Sequence, residues 1–258
     1  MRTFDELMAS ASAKLVAMDY LACEAECLEG LGLARAESDF TAYRRALRPL
    51  QEARRARRML AADAAVWIGS EPPADPPPGA GRAGRVIAAG AGCCCIVGAP
   101  QAGAARLARA RERGLHAEVL LAEPLAPTRP GGEPERWVVA APPAGDASAD
   151  RGGSAAREPA VRGLFPAEVA APPAGLVGVA LHPESAVAGT TARHWFIAAS
   201  EAVGDAALAW AEAATPPATA QRLAALESAV AGVDDHELLH QALAGAAASL
   251  EVAGGGSA

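Results

Sequence analysis

GCCCIVGAPQAGAARLARARERGLHAEVLL, residues 92–121, sets two short apolar runs on either side of an arginine-rich segment. Cys93-Cys94-Cys95-Ile96-Val97 suits a central strand, because a strand covered on both faces needs no polar alternation. Gln101 to Arg113 reads as helix, and Gly114 can end it in the left-handed conformation. His116 to Leu121 is the second apolar run and Trp137 to Ala140 a third. Strand, helix and strand with short joins make a βαβ unit, which implies parallel pairing and a right-handed crossover. Leu176 to Leu181 is expected to add another strand. A small α/β domain is thus predicted over residues 85–182, with a Pro-, Gly-, Ala-, Ser- and Asp-rich mobile loop at 142–160.

Upstream, Ser70 to Gly84 carries Pro72-Pro73 and Pro76-Pro77-Pro78, so residues 69–84 read as a linker of polyproline character. Residues 4–66 read as three antiparallel helices. Tyr20, Cys23, Cys27, Leu31 and Ala34 recur at spacings of three and four and share one helix face. Pro49 should bend the third helix or make it restart. The small-large alternation of Tyr20-Leu21-Ala22-Cys23-Glu24-Ala25, with the acid-aromatic helix starts Asp19-Tyr20 and Asp39-Phe40, resembles a tetratricopeptide-like helical hairpin. The resemblance covers about a quarter of the chain, takes in residues 1–68, and implies a protein-interaction module. The pairing of such a module with an α/β part is also similar to uncharacterised bacterial proteins, which implies no activity of its own.

Downstream, residues 183–252 read as helices. Leu223, Leu226, Val230 and Val233 form one stripe, and Leu239, Leu243, Ala246 and Leu250 another. The tail from Gly254 should fray. The predicted architecture is therefore mixed α and β: a three-helix module, a linker, a small α/β domain and a C-terminal helical segment.

Composition narrows the function classes. The 258 residues are 51% hydrophobic and 21% charged, which excludes full-length disorder and supports one large or two small domains. No signal peptide precedes the first helix, and the most apolar stretch, Val86 to Val97, is too short and glycine-rich to span a bilayer. The five cysteines, three of them adjacent, do not form a disulfide framework, so a reduced, cytoplasmic location is expected.

Five features could carry chemistry. His236-Glu237-Leu238-Leu239-His240 matches the zinc motif H-E-x-x-H, with His236 and His240 as ligands and Glu237 as general base. It resembles zinc metallopeptidases over these five residues alone, and a third ligand would have to come from His182, His194 or Glu251. The competing reading is a capping box, with Asp234 as N-cap, Glu237 reaching back to its amide, and both histidines at the edge of the apolar stripe. Gly98 to Gly103 has the glycine spacing of a P-loop, but Ala104 and Ala105 stand where lysine and a hydroxyl are needed. That excludes NTP hydrolysis and leaves at most an anion or nucleotide sensor at a helix start. The cysteines are assigned to the core, since successive strand side chains face opposite ways. Trp195 and Phe196 should anchor the C-terminal helices on the α/β part.

The last feature is charge. Arg44, Arg45, Arg48, Arg54, Arg55, Arg57 and Arg58 crowd one helix with Glu52 the only acid among them, whereas residues 163–258 hold ten acids and only Arg193 and Arg222. The arginine helix could dock on the chain's own acidic helices, face solvent, or bind an acidic partner. Aromatic residues for base stacking are missing, which argues against nucleic acid. The leading expectation is a non-catalytic cytoplasmic interaction or scaffold protein that binds a protein partner through Arg44, Arg48 and Arg55, with no cofactor and no membrane contact. The alternative is a zinc-dependent hydrolase at His236, Glu237 and His240.

Overall fold

The computed structural model describes residues 2–70, 72, 81–98, 100–129, 131–143, 164–184, 187–216 and 219–255. The linker expected at 69–84 and the loop expected at 142–160 lie mostly outside them. The architecture is mixed α and β: three N-terminal helices, a central six-stranded sheet and C-terminal helices. By contacts the chain divides into two compact units, Met1–Arg57 with Ala207–Ala258, and Arg58–Ala206.

The first unit is helical. α1 (Phe4–Val16) starts on a capping box in which Thr3 accepts from the Glu6 amide and Glu6 accepts from the Thr3 amide. α2 (Tyr20–Glu37) starts on Asp19 and ends at Ser38 in the left-handed conformation. α3 (Phe40–Ala64) runs through Pro49 and does not restart there; the Pro49 carbonyl accepts from the Cys23 thiol at 3.8 Å. Leu7, Met8 and Ala11 of α1, Cys23 and Cys27 of α2, and Ala46, Leu50 and Ala53 of α3 form one buried cluster, joined by Tyr20 and Leu31. The helical spacing read from the sequence therefore marks the buried face of α2. α7 (Ala220–Gly232) and α8 (Glu237–Gly255) pack on each other and bury Leu223, Leu226, Val230, Leu239 and Leu243.

The second unit is built on a sheet of order β5-β4-β3-β2-β1-β6. β1 (Val66–Gly69), β2 (Gly92–Val97) and β3 (Ala117–Pro124) are parallel. β4 (Arg136–Ala141), β5 (Leu164–Ala170) and the two-residue β6 (Ala180–Leu181) pair antiparallel at the flanks. The strand expected at 176–181 thus shrinks to Ala180 and Leu181. Two boundaries move. Residues 66–68, placed in the helical module, form β1, because Val-Trp-Ile is β-prone and pairs Val66 to Cys93. Residues 82–84, placed in the linker, open α4 (Arg82–Ala89), which buries Ala83 and Ile87 against the sheet.

The βαβ reading holds: β2, α5 (Pro100–Glu112) and β3 form it, with Gly114 at φ 65° closing the helix. Cys94 and Ile96 meet Ile87 of α4 and Leu107 of α5, so both helices cover one face. Cys93 and Cys95 face the other side. The first part of α6 (Val187–Ala214) anchors there through Trp195, whose Nε1 donates to the Ala170 carbonyl at 2.9 Å and whose ring meets Trp137 edge-on at 6.0 Å. Among the described residues no helix is long and apolar enough to cross a membrane.

Candidate interaction face and buried ionic network

α3 carries all seven clustered arginines, and its periodicity sorts them onto two faces. Arg54 and Arg57, at an i, i+3 spacing, point inward and are nearly inaccessible, at 4% and 2% exposure. They meet Glu24 of α2, itself 7% exposed: Arg54 Nε donates to Oε1 at 2.9 Å and Arg57 Nη1 donates to Oε2. Asp234, just before α8, faces the same pair, 3.8 Å from Arg54 and 3.9 Å from Arg57. Arg54 also donates to the Val230 and Asp234 carbonyls. Two guanidiniums and two carboxylates thus form a neutral quartet, buried at Arg54, Arg57 and Glu24, in which Glu24 hydrogen-bonds both arginines and Asp234 stands within ion-pair distance of each.

The H-E-x-x-H histidines lie beside this quartet. α8 begins at Glu237, so His236 occupies the N-cap position, and its Nδ1 accepts from the Leu239 amide at 3.3 Å. The cap expected at Asp234 is therefore two residues late in the sequence, because the Asp234 carboxylate is drawn to Arg54 and Arg57. His240 Nε2 lies 3.2 Å from the Asp234 carbonyl, which can only accept, so that nitrogen carries the proton. Both rings are buried, at 3% and 2%, rather than at the edge of the stripe. Burial, reinforced by the Arg54 charge and by His236, holds His240 down at about 4 against the opposing pull of Asp234. Glu237 is exposed and accepts from Gln241 at 3.0 Å. Glu251, a candidate third ligand, is held by Thr41 at 2.5 Å and Arg44 at 3.3 Å. His182 and His194 belong to the sheet unit; the first is buried, its Nδ1 accepting from the Glu184 amide, and the second is exposed. Among the described residues no three His, Cys, Asp or Glu side chains are grouped to hold a metal.

The P-loop-like spacing has a packing explanation. A side chain at Gly103 would put its first carbon 2.7 Å from Leu121, so this glycine lets α5 approach β3. Gly98, at φ 71°, turns the chain out of β2. Pro100 opens α5 with no N–H to offer an anion. The five cysteines are free and buried. Burial pushes the Cys93 and Cys95 thiols far up, while Arg106 limits the rise at Cys94 to about 11.

On the outer face of α3, Arg44, Arg45, Arg48, Glu52 and Arg55 are exposed. Arg44 pairs with Glu251 and Arg45 with Asp5 at 3.1 Å. Arg48 and Arg55, seven residues and two turns apart, make no ion pair among the described residues. Arg58 belongs to the second unit and pairs with Glu201 at 2.8 Å. The sequence reading did not reach Glu24, whose only signal was an acid one position from the cysteine stripe of α2, nor the Tyr43 and Glu227 contact, which joins residues far apart in the chain. No family model, curated protein or solved structure matches this chain.

Proposed function

We propose that this chain is a cytoplasmic, non-catalytic interaction protein that binds an acidic protein partner through the outward face of α3. The observation that supports this is the division of labour along the helix. Arg54 and Arg57 are spent on a buried internal quartet, whereas Arg48 and Arg55 stand exposed on one face with no ion pair among the described residues. Arg44 and Arg45 lie on the same side of the helix in exposed ion pairs with Glu251 and Asp5, which are weak enough to exchange for a partner's carboxylates. A basic face of this kind steers an acidic partner and contributes most to its rate of encounter. The free thiols agree with a reducing location. The zinc-hydrolase alternative needs a third ligand beside His236 and His240; Glu251 is instead held by Thr41 and Arg44, and we do not carry that alternative forward.

The test is fluorescence anisotropy with a labelled glutamate-rich peptide and the full chain. Binding should weaken steeply as salt shortens the Debye length from about 10 Å at 0.1 M to about 3 Å at 1 M. It should be strongly reduced in the double variant Arg48→Glu, Arg55→Glu, and lost when Arg44→Glu is added. Equal binding by that variant, or tighter binding of a single-stranded oligonucleotide than of the peptide, would overturn the proposal.

A further inference from the structure

A pocket of about 200 Å³ opens in the helical unit between α2 and α7. Its walls are apolar, with Leu31, Leu47, Leu50 and Leu243 among them. Three polar side chains besides Arg54 reach it, and their hydrogen bonds are ordered in a particular way. Tyr43, 2% exposed, donates its hydroxyl to Glu227 Oε1 at 3.0 Å. The same oxygen lies 3.2 Å from Arg35 Nε. Burial, together with Glu227, keeps the Tyr43 phenol protonated and committed to that bond. Arg54 is fully engaged by Glu24, Val230 and Asp234. Arg35 is different. It is fixed by Glu227 through its Nε edge and by Phe40, whose ring centre lies 6.0 Å from the guanidinium carbon, and its two terminal amino groups make no hydrogen bond among the described residues.

A second observation comes from the backbone. Gly32 lines the pocket in the middle of α2, where glycine weakens a helix. Its conformation is ordinary helix, and a side chain there would meet nothing within 4 Å. Two residues earlier, Gly30 has a packing reason, since its first side-chain carbon would sit 2.7 Å from Met8. Gly32 has none, and what it does is leave the pocket open one turn from Arg35.

We propose that this pocket binds a small apolar monocarboxylate, with its hydrocarbon body between α2 and α7 and its carboxylate on the terminal amino groups of Arg35. Size sets the class. The volume exceeds the roughly 150 Å³ of an apolar cavity that accepts benzene and falls below the roughly 300 Å³ at which drug-sized sites begin. One ring or a short branched chain fits, and a nucleotide does not. Charge sets the head group. Arg35 offers two parallel donors, the geometry that a carboxylate takes up bidentately. The site is distinct from the α3 outer face, so each proposal can fail without the other.

The probe is phenylacetate, titrated into the full chain by calorimetry, beside phenylacetamide, which keeps the shape and loses the charge, and acetate, which keeps the charge and loses the ring. Saturable binding of phenylacetate is expected, with each control at least about tenfold weaker. Gly32→Leu should fill the opening. It is expected to raise the melting temperature through better helix propensity and to abolish binding, so that loss of binding is not loss of fold. Arg35→Gln should bind phenylacetate and phenylacetamide equally. No saturable binding of phenylacetate, equal binding of the amide by the native chain, or undiminished binding by Gly32→Leu would each overturn the proposal.

Discussion

The two units stabilise themselves by different means. In the helical unit the large side chains at the centre include Arg54, Arg57, Glu24, His236 and His240, all under 9% exposed. In the sheet unit the central strands carry Cys93, Cys94, Cys95, Ile96, Leu120 and Leu121, all apolar, and its buried arginines Arg58 and Arg106 lie on helices, bonded to Glu201 and to backbone carbonyls rather than in a charge quartet. The contrast follows from composition. α1, α2 and α3 are rich in alanine, which favours helix yet buries little area, so helices packed on alanine alone could slide in register. A quartet of fixed charges penalises every register but one, since any slip leaves a buried charge without its partner. The parallel strands hold register by another means, because a one-residue slip turns every side chain of β1, β2 and β3 to the opposite face. The edge shows the same economy. β5 carries Pro166 and has Phe165 at φ 56°, features that hinder pairing with another chain.

The largest effect should come from Glu24→Ala, which leaves Arg54 and Arg57 facing each other beside Asp234 alone. A loss of about 3–5 kcal/mol in urea unfolding is expected. Thiol labelling locates the damage: Cys23 and Cys27 should become reactive before Cys93, Cys94 and Cys95. Simultaneous labelling of all five would show that the two units open as one and that the contrast has no energetic meaning.

Next is acid. His240 sits at about 4 in the folded protein against about 6.5 when unfolded, so the unfolded chain binds the extra proton across that window. The neutral ring therefore contributes stability above about pH 6.5 that is lost as pH falls toward 4, on the order of 3 kcal/mol in all. His240→Gln should flatten that slope. An identical slope in both proteins would remove the histidine from the explanation.

The smallest effects test the sheet unit. Cys95→Ser places a hydroxyl in an apolar layer and should cost about 1–3 kcal/mol. Cys94→Ser should cost less, because the Arg106 guanidinium acts on that position and favours a polar group there. Equal costs would contradict the placement of Arg106, whose guanidinium also holds the Ile87 and Ala91 carbonyls at the end of α4.

Much of the fold was legible in local pattern. The Cys-rich run, the arginine-rich helix and the apolar run after it identified the βαβ unit because period and length distinguish strand from helix over such stretches. The stripes of α2, α7 and α8 were equally plain. β1, α4 and β5 were missed: β1 and α4 adjoin the proline-rich stretch and their apolar character is only a few residues long, and β5 is interrupted by Pro166. The site was less legible. Seven arginines on one helix read as a single patch, although their angular positions separate Arg54 and Arg57 from Arg48 and Arg55. That separation became informative only once Glu24 and Asp234, 210 positions apart in the chain, met the inner pair.

The sequence by itself determined the βαβ unit and the helical stretches on either side of it, that β2 is buried on both faces, and that positive charge gathers on α3, since each of these follows from composition and periodicity within some twenty residues. The tertiary structure alone decided which arginines are consumed and which are left exposed, that His236 caps α8 in place of Asp234, and that Arg35, Tyr43 and Glu227 meet at a pocket. Those outcomes depend on pairings across long loops of chain, where the free energy of an ion pair or a cap is set by burial and partner geometry rather than by the residues next door.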